Sequence, residues 1–354
     1  MSRNYLNYFF TDIGIDLGTA NVVVYVKQKG VVVNEPSVTA INRKTNRMVA
    51  VGDEAKKMLA RTPSHIEVIR PLVNGVISDF EMTQELLRHF FKRFNQGISF
   101  GFRRAVLAIP DGLTEVERKS VEDAALNAGC SQVYLVDSPV AAALGANLPI
   151  NSPAASLIID IGGGTTDIAV ISMGGMVISK TLKTAGDKFN EDIIRFVREE
   201  FKLIIGEPTA ELAKMTVGSA IPGEHRPGGP GELSIKGRDA SSGLPKEVTI
   251  KSSQVRAALQ RSLKAIVDAT QDVIESTPPE LAGDLLDRGI HLCGGGALLW
   301  GLDRLLEKET SVTTTVVEDP LLCVARGLGQ IIEDIDKNRH LFDNPQRALE
   351  IRIS

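Results

Sequence analysis

Two glycine-containing stretches of the chain repeat one another, and this repeat constrains the fold more than any other feature. Residues 13–26 read IGIDLGTANVVVYV, and residues 157–171 read LIIDIGGGTTDIAVI. Each stretch has an apolar strand, an aspartate, a turn of small residues and a second apolar strand. Asp16 and Asp160 occupy the same place in the two copies. The repeat predicts a duplicated α/β unit, with one hairpin opening each half of the chain.

The remaining sequence alternates between strand and helix patterns. It predicts an amphipathic helix over residues 79–94, a strand over 105–109 and a long helix over 252–276. Thr114 and Glu117 form a capping-box pattern at the start of another helix. Alternation of this kind in both halves predicts an α/β fold with helices flanking the sheets.

The length of 354 residues is sufficient for two domains of ordinary size. Seven of the ten residues from 222 to 231 are Pro or Gly, which predicts an exposed loop. The predicted division is a first half over residues 1–147, a second half over 148–334 and a polar C-terminal tail over 335–354. Each half is expected to carry a small subdomain, over about residues 33–67 and 180–250.

Composition excludes several classes of protein. The net charge of −4, without a long run of one sign, gives no basis for a nucleic-acid-binding face. Cys130, Cys293 and Cys323 lack metal-ligand spacing and predict buried thiols in a reducing, cytoplasmic environment. No apolar run approaches the roughly 20 residues of a membrane span.

The N-terminal segment is rich in aromatic residues, since four lie within the first ten positions. At roughly 100° per residue, one side of a helix here would present Tyr5, Leu6, Phe9 and Phe10. A segment with such a face can lie in a membrane interface. Packing of the segment on its own domain is an alternative of equal weight.

Three turns of small residues predict a phosphate-binding site. They lie at residues 16–21 (DLGTAN), 160–167 (DIGGGTTD) and 294–299 (GGGALL). Glycine lets the backbone approach a ligand closely, and successive N–H groups form a cradle for an anion. The third turn follows a strand and opens a helix, whose first N–H groups also favour anions.

The two hairpin turns also carry groups suited to a metal–phosphate complex. Asp16 and Asp160 lie where strand meets turn, and such carboxylates suit Mg²⁺ held through water. Thr19, Asn21 and Thr165 add short polar side chains. One glycine-rich turn alone is usually only a hairpin, but three together predict a polyphosphate gripped between the halves. The GxxxxGK(S/T) loop and the GxGxxG fingerprint do not occur in the sequence.

Several further segments have no evident role in phosphate chemistry. They include NEPSV at residues 34–38, EAKKMLARTP at 54–63, GDK at 186–188 and TPPEL at 277–281. Together with the three turns, they make the chain similar to the MreB family of bacterial actin-like cell-shape proteins over about residues 12–333. The turns alone resemble the two phosphate motifs and the adenosine motif of the wider superfamily of actin, sugar kinases and heat-shock chaperone ATPases.

The resemblance implies a duplicated actin-like ATPase fold with four subdomains and with ATP and Mg²⁺ in the cleft between two halves. It implies a homopolymer of paired protofilaments on the inner face of the cytoplasmic membrane. Such filaments would help to determine rod shape by organising cell-wall synthesis with transmembrane elongation proteins. The implied phosphate contacts are Thr19, Ala20, Asn21, Gly162, Gly163, Gly164 and Thr165. Glu211 and Lys214 would hold the nucleoside, and Gly294, Gly295, Gly296 and Ala297 would flank the adenosine.

The resemblance also bears on membrane binding. Members of this family bind lipid through an N-terminal amphipathic segment, a hydrophobic loop or both. The corresponding loop region, residues 94–102, contains Ile98, Phe100 and Phe102. Core packing is an equally weighted alternative for these three residues. Together with the aromatic N-terminus, they favour membrane association.

One position departs from the family pattern. The family's turn usually reads Asp-Glu-Pro, whereas this chain has Asp137, Ser138 and Pro139. That Glu is thought to orient and deprotonate the attacking water, together with the threonine matched by Thr165. The Ser138 hydroxyl is a poor proton acceptor, and its local role is predicted to be a helix cap before Pro139.

The departure leaves ATP hydrolysis open. Loss of a general base costs on the order of 10²–10⁴ in rate, although positioning and electrostatics still contribute to phosphoryl transfer. Asp137 is not expected to substitute, because adjacent residues at a strand end point in different directions. We therefore expect ATP binding with slow hydrolysis.

Two other classes share the fold. A sugar or small-metabolite kinase would need a carboxylate base facing a substrate pocket, and the sequence offers no candidate. A chaperone ATPase would need a long C-terminal substrate-binding domain, whereas about twenty residues follow the last family match. The kinase is the alternative that we retain.

Overall fold

The computed structural model describes residues 10–94, 101–223 and 226–342. Two five-stranded sheets dominate the described residues. The first contains β1 (Phe10–Leu17), β2 (Asn21–Val26), β3 (Gly30–Pro36), β9 (Gly101–Ile109) and β10 (Cys130–Asp137). The second contains β11 (Ser156–Ile161), β12 (Thr166–Ser172), β13 (Gly175–Leu182), β17 (Ile290–Cys293) and β18 (Thr314–Val316).

The two sheets have the same topology. Their strand orders are β3-β2-β1-β9-β10 and β13-β12-β11-β17-β18. In each, three antiparallel strands form a meander, and two parallel strands follow beside the first strand. Strand β11 is almost continuously apolar because both of its faces are buried. The predicted duplication and the α/β class are confirmed.

Each half also carries a small sheet. The first comprises β4 (Thr39–Asn42), β5 (Arg47–Val51) and β6 (Ile66–Ile69), and the second comprises β14 (Leu203–Ile204), β15 (Glu232–Asp239) and β16 (Pro245–Lys251). A short hairpin of β7 (Leu72–Val73) and β8 (Val76–Ile77) follows the first small sheet.

Ten α-helices connect these strands in the described part of the chain. They are α1 (Asp53–Met58), α2 (Phe80–Phe94), α3 (Glu115–Ala128), α4 (Ser138–Gly145), α5 (Gly186–Phe201), α6 (Glu207–Val217), α7 (Ser252–Ser276), α8 (Pro279–Arg288), α9 (Leu302–Thr310) and α10 (Cys323–Glu333). The capping box of α3 is confirmed, since the Glu117 carboxylate accepts from the Thr114 N–H at 2.8 Å. The predicted bounds of α7 are confirmed as well.

Helices α4 and α10 join the two halves, and their backbones touch. A Cβ atom added at Gly145 would lie 1.8 Å from the Cys323 carbonyl oxygen, and one at Gly327 would lie 1.7 Å from that of Ala141. Only glycine allows this approach. The pair belongs to a core cluster between the sheets, distinct from the cluster within each half.

Helix α10 also covers the sheet built by the N-terminal residues. A Cβ at Gly14 in β1 would lie 2.7 Å from the Leu328 Cβ. The Lys27 ammonium donates to the Glu333 carbonyl at 2.8 Å, and the Gln28 N–H donates to the Glu333 carboxylate at 3.0 Å. Residues more than 300 positions apart therefore complete one layer of the first half.

Substitution of Gly327 by alanine should destabilise the protein by about 1–3 kcal/mol or more, because the new methyl group meets backbone that cannot move aside. The measurement is the free energy of unfolding from urea titration. Gly283→Ala in α8 is the matched control, since its Cβ would meet nothing within 4 Å. That change should be neutral or stabilise by about 0.5–1 kcal/mol. Equal stability of the two variants would contradict the close contact.

One predicted membrane residue needs correction, and so does the helix predicted at Phe10. Phe102 is 2% exposed and packs edge-to-face on Phe91, with ring centroids 4.8 Å apart, so its assignment to lipid contact is wrong. Phe10 belongs to strand β1, where it pairs with Gly101, and not to a helix. The remaining membrane residues lie outside the described residues: Tyr5, Leu6, Phe9, Ile98 and Phe100. In the described ranges, no helix has the length and apolar character required to cross a membrane.

Two other predictions concern buried residues. Cys130, Cys293 and Cys323 are buried free thiols, as predicted. The segment predicted as a polar tail begins within the fold, because Ile335, Leu341 and Phe342 are buried in the core cluster between the sheets. The Phe342 ring stacks on Tyr134 with a centroid distance of 4.7 Å.

Candidate functional site

A cavity of about 380 Å³ lies between the two halves. Its volume is within the range of small-molecule sites. All three turns of small residues line it, through Asp16, Thr19, Ala20, Asn21, Asp160, Gly162, Gly163, Gly164, Thr165, Gly294, Gly295 and Gly296. Ser138, Glu211 and Lys214 line it as well. Ala297 does not, because its side chain is buried in the core of the second half.

The two hairpin turns meet at the cavity. A Cβ at Gly163 would lie 2.5 Å from the Ala20 Cβ. A Cβ at Gly164 would lie 2.5 Å from the Thr19 Oγ1 and 2.8 Å from the Asn74 Cα. The glycines therefore let backbone from both halves approach the same space, as an anion cradle requires.

Short polar side chains of the turns are held in place by hydrogen bonds. The Thr19 Oγ1 accepts from the Gly75 N–H at 2.9 Å, and the Asn21 amide donates to Asn34 at 2.9 Å. The Thr165 hydroxyl donates to the Asp167 carboxylate at 3.1 Å. The sequence analysis missed Asp167, although the second aspartate of DIGGGTTD marks its position.

Three carboxylates lie at the base of the cavity. Burial raises the pKa of Asp16 to about 7, even though Asp16 keeps some surface open to the cavity. Burial also raises the pKa of Asp160 and of Asp167 to about 7, and Asp16 adds to the effect on Asp160. A Cβ at Gly294 would lie 2.4 Å from the Asp160 Oδ1, so the third turn packs directly on this carboxylate.

The carboxylates fit a cation that is held partly by other ligands. Across the described residues, no group of three or more His, Cys, Asp or Glu side chains is placed to hold a metal ion. A Mg²⁺ ion near Asp16 and Asp160 would therefore complete its shell with water and phosphate oxygens, which suits its coordination chemistry. Its positive charge would offset the cost of burying the carboxylates.

Replacement of Asp16 by asparagine should stabilise the ligand-free protein at pH 8 and leave its stability unchanged near pH 4. The pKa of Asp16 in the folded protein, about 7, exceeds the ordinary aspartate pKa of 3.8. The folded state thus binds the extra proton between these values, and wild-type stability falls as pH rises through that window. The gain should be on the order of a few kcal/mol. Thermal unfolding at both pH values measures it.

Asp123→Asn is the control, because Asp123 forms an exposed helical ion pair with Lys119. Its melting temperature should change little at either pH. A lower melting temperature for Asp16→Asn than for wild type at pH 8 would contradict the burial cost assigned to Asp16.

Further polar groups lie above the turns. The Lys214 ammonium donates to the Gly186 carbonyl at 2.9 Å, and burial lowers the pKa of Lys214. Glu211 pairs with Lys56 of the first half at 3.0 Å. The sequence analysis missed Lys56 because nothing in a local pattern links residues so far apart.

Two buried polar atoms among the lining residues test whether a ligand fits. The Asn190 Oδ1 and the Trp300 Nε1 have no hydrogen-bond partner among the described residues. An unsatisfied buried polar group costs about 1–3 kcal/mol. One atom is an acceptor and the other is a donor, so the lining is chemically suited to a ligand that carries both kinds of group, as a nucleoside does.

The Asp137–Ser138–Pro139 turn differs from its prediction. Helix α4 begins at Ser138, the N-cap residue is Asp137, and no side chain caps the helix by hydrogen bonding. The predicted cap by the Ser138 hydroxyl is therefore wrong. Ser138 is buried and lines the cavity, whereas Asp137 does not. Burial and Asp111 both raise the pKa of Asp137, whose Oδ1 has no partner in the described structure.

Comparisons with known proteins agree with this architecture. A family model described as MreB/Mbl protein matches residues 10–340. The chain is 48% identical over 329 residues to the cell shape-determining protein Mbl of Bacillus subtilis, covering 93% of this chain and 98% of that protein. It is similar to the crystal structure of MreB5 of Spiroplasma citri bound to AMPPNP, with a TM-score of 0.87, 41% identity and coverage of 94% and 98%. A MamK double helical filament gives a TM-score of 0.77, 25% identity and coverage of 92% and 99%.

Proposed function

This chain belongs to the MreB/Mbl protein family, and on that premise we propose that it binds ATP between its two halves and assembles into membrane-associated filaments that organise cell-wall synthesis. It is an actin-like homologue of cell shape-determining proteins. The observation that carries the proposal is the meeting of two equivalent glycine turns at one cavity. The similar MreB5 structure is bound to AMPPNP, an ATP analogue, which supports nucleotide binding here.

Three groups of lining residues would each contact a different part of the nucleotide. The turns at Thr19–Asn21 and Gly162–Thr165 would hold the phosphates through backbone N–H groups and short side chains. Glu211 and Lys214 would contact the nucleoside from helix α6, and Gly294 to Gly296 would flank the base. Mg²⁺, when bound near Asp16 and Asp160, would supply positive charge to the phosphates.

The same residues favour slow hydrolysis. The Thr165 hydroxyl donates its proton to Asp167, so its oxygen is left to accept a hydrogen bond from water. Ser138 lines the same cavity at the position where the family pattern has its proton acceptor, and its hydroxyl cannot serve as one at neutral pH. These residues would therefore bind a nucleotide but activate the attacking water only weakly.

Equilibrium titration with a fluorescent ATP analogue tests the nucleotide proposal directly. The full chain should bind the analogue, and Mg²⁺ should tighten the binding. A tenfold change in affinity corresponds to about 1.4 kcal/mol. Absence of binding at millimolar nucleotide would overturn the proposal.

The two apolar segments predicted to bind membrane are each followed by a strand, and these two strands are neighbours in one sheet. Phe10 at the start of β1 pairs with Gly101 at the start of β9. The segments before these residues therefore join the same end of one sheet, on adjacent parallel strands. Combining two weak apolar anchors strengthens binding, and repetition along a filament multiplies it.

Sedimentation with ATP and Mg²⁺, with and without vesicles containing anionic lipid, tests assembly and membrane binding together. We expect ATP-dependent pelleting and co-sedimentation with vesicles. Replacing Ile98 and Phe100 together by serine should reduce vesicle binding and leave pelleting without lipid intact. Val116→Ser is the control, because Val116 is exposed and follows the opposite end of β9. Loss of vesicle binding in the control alone would contradict the assignment.

The small-metabolite kinase finds no support. The family match and the similar proteins are all actin-like and cell-shape proteins. Self-association is supported by the filament structure of MamK.

A further inference from the structure

We propose that ion pairs between the two halves act as a latch that slows nucleotide exchange; the proposal rests on nucleotide binding in the cavity. We call these residues the bridging cluster. It comprises Lys56 and Arg70 from the first half and Asp187, Glu207 and Glu211 from the second.

The bridging cluster contains three contacts that join distant parts of the chain. Lys56 contacts Glu211 at 3.0 Å. Arg70 contacts Asp187 at 3.4 Å and also donates to Glu207. The partners are separated by 117 to 155 positions in the sequence. The contacts therefore connect helix α1 and the end of strand β6 in the first half to helices α5 and α6 of the second.

The bridging cluster reaches the cavity through two of its members. The Asp187 and Glu211 side chains line the cavity and are about one-third exposed, at 32% and 33%. The Arg70 side chain is 24% exposed, so its pairs are less screened by water than ordinary surface pairs. A nucleotide that leaves through this region must first separate the paired side chains.

Asp187 ties the bridging cluster to the phosphate turn. The Asp187 N–H donates to the Gly163 carbonyl at 2.8 Å, and the Gly186 N–H donates to the Gly162 carbonyl at 3.1 Å. Asp187 and Glu207 lie in the first turns of α5 and α6, where the helix dipole favours negative charge. Movement of Arg70 away from Asp187 would thus reach the residues that hold the phosphates.

Arg70, which forms two of the contacts, lies beside backbone that is held by hydrogen bonds. Arg70 follows strand β6 and precedes Pro71, whose carbonyl accepts N–H groups of Ser78 and Asp79 at 2.8 and 3.1 Å. The guanidinium spans two acids at once, and such charge-assisted contacts are stronger than neutral hydrogen bonds. We therefore expect Arg70 to contribute more to the latch than Lys56, whose side chain is 41% exposed.

The test is the dissociation rate of a fluorescent ATP analogue from the Mg²⁺-loaded full chain, measured by stopped-flow displacement with excess ATP. Arg70→Gln should release the analogue about 10-fold faster than wild type, and Lys56→Gln about 3-fold faster. Arg43→Gln is the matched control. Arg43, which follows strand β4, forms an exposed pair with Glu67 of strand β6, and its replacement should leave the rate unchanged.

Two further measurements separate a latch from a general loss of stability. Raising salt should accelerate release from wild type more than from Arg70→Gln, because screening weakens the pairs that the variant already lacks. The double variant Arg70→Glu with Glu207→Arg should recover part of the slow release that Arg70→Glu loses. A structural defect would show neither the salt difference nor the recovery.

Wild-type release rates in Arg70→Gln, Lys56→Gln and Glu207→Gln, with binding intact, would overturn the latch and leave the proposed function standing. Should Arg70→Gln fail to fold, the Lys56 and Glu207 variants decide the question. Each removes a single contact, and both side chains are more exposed than that of Arg70. Failure of wild type to bind the analogue would instead overturn the proposed function itself.

Discussion

Replacing Ser138 by glutamate should raise the rate of phosphate release from ATP on the order of 10²–10⁴-fold. Ser138 lines the cavity that Thr165 also lines, at the first residue of helix α4. A carboxylate at this position could accept the proton of a water held by the Thr165 hydroxyl. The first turn of a helix favours negative charge, so the new side chain suits its backbone position. Release of inorganic phosphate at saturating ATP and Mg²⁺ measures the gain.

Ser138→Gln is the control for this gain. Glutamine has nearly the same size and also forms hydrogen bonds, but it cannot act as a general base. Both variants should bind ATP about as tightly as wild type, and only the glutamate variant should release phosphate rapidly. A glutamate variant that binds ATP and remains as slow as wild type would contradict the assignment of position 138.

Gly164→Ala should weaken ATP binding about 10- to 100-fold. The added methyl group would lie 2.8 Å from the Asn74 Cα and 2.9 Å from the Asn74 backbone nitrogen, in addition to the Thr19 hydroxyl. Backbone atoms cannot rotate away, so the turn that contains Gly164 must move away from the β7–β8 hairpin and from Thr19, at a cost of about 1–3 kcal/mol. Equilibrium titration with the fluorescent ATP analogue measures the loss.

Gly175→Ala provides the comparison for the Gly164 variant. Gly175 begins strand β13 in the same half, and a Cβ there would meet nothing within 4 Å. Its affinity for ATP should equal that of wild type. Equal affinities for both variants would show that the close approach of the turns does not determine binding.

Local patterns in the sequence were sufficient to predict much of this molecule. The two hairpins, the capping box at Thr114 and the long helix α7 follow from periodicity and turn chemistry within short windows. The same is true of the glycine turns that line the cavity. The equivalent placement of the first two turns follows from the duplication, because matching hairpins open the two sheets.

The errors arise where burial is decided by distant residues. Phe102 follows a glycine-flanked loop in sequence, but strand β9 begins at Gly101 and turns its side chain toward Phe91 in the core. The ion pairs of Arg70 could not be predicted either, since the charge of one residue does not select a partner over 100 positions away.

The contact between helix α10 and strand β1 delays the folding of the first half during synthesis. Synthesis proceeds from the N-terminus, and domains usually fold as they emerge. Here the sheet that starts at Phe10 lacks its covering helix until residues 323–333 have been translated. We therefore expect the nascent first half to expose apolar sheet surface until this helix has been synthesised. Its final closure is a late, long-range folding step.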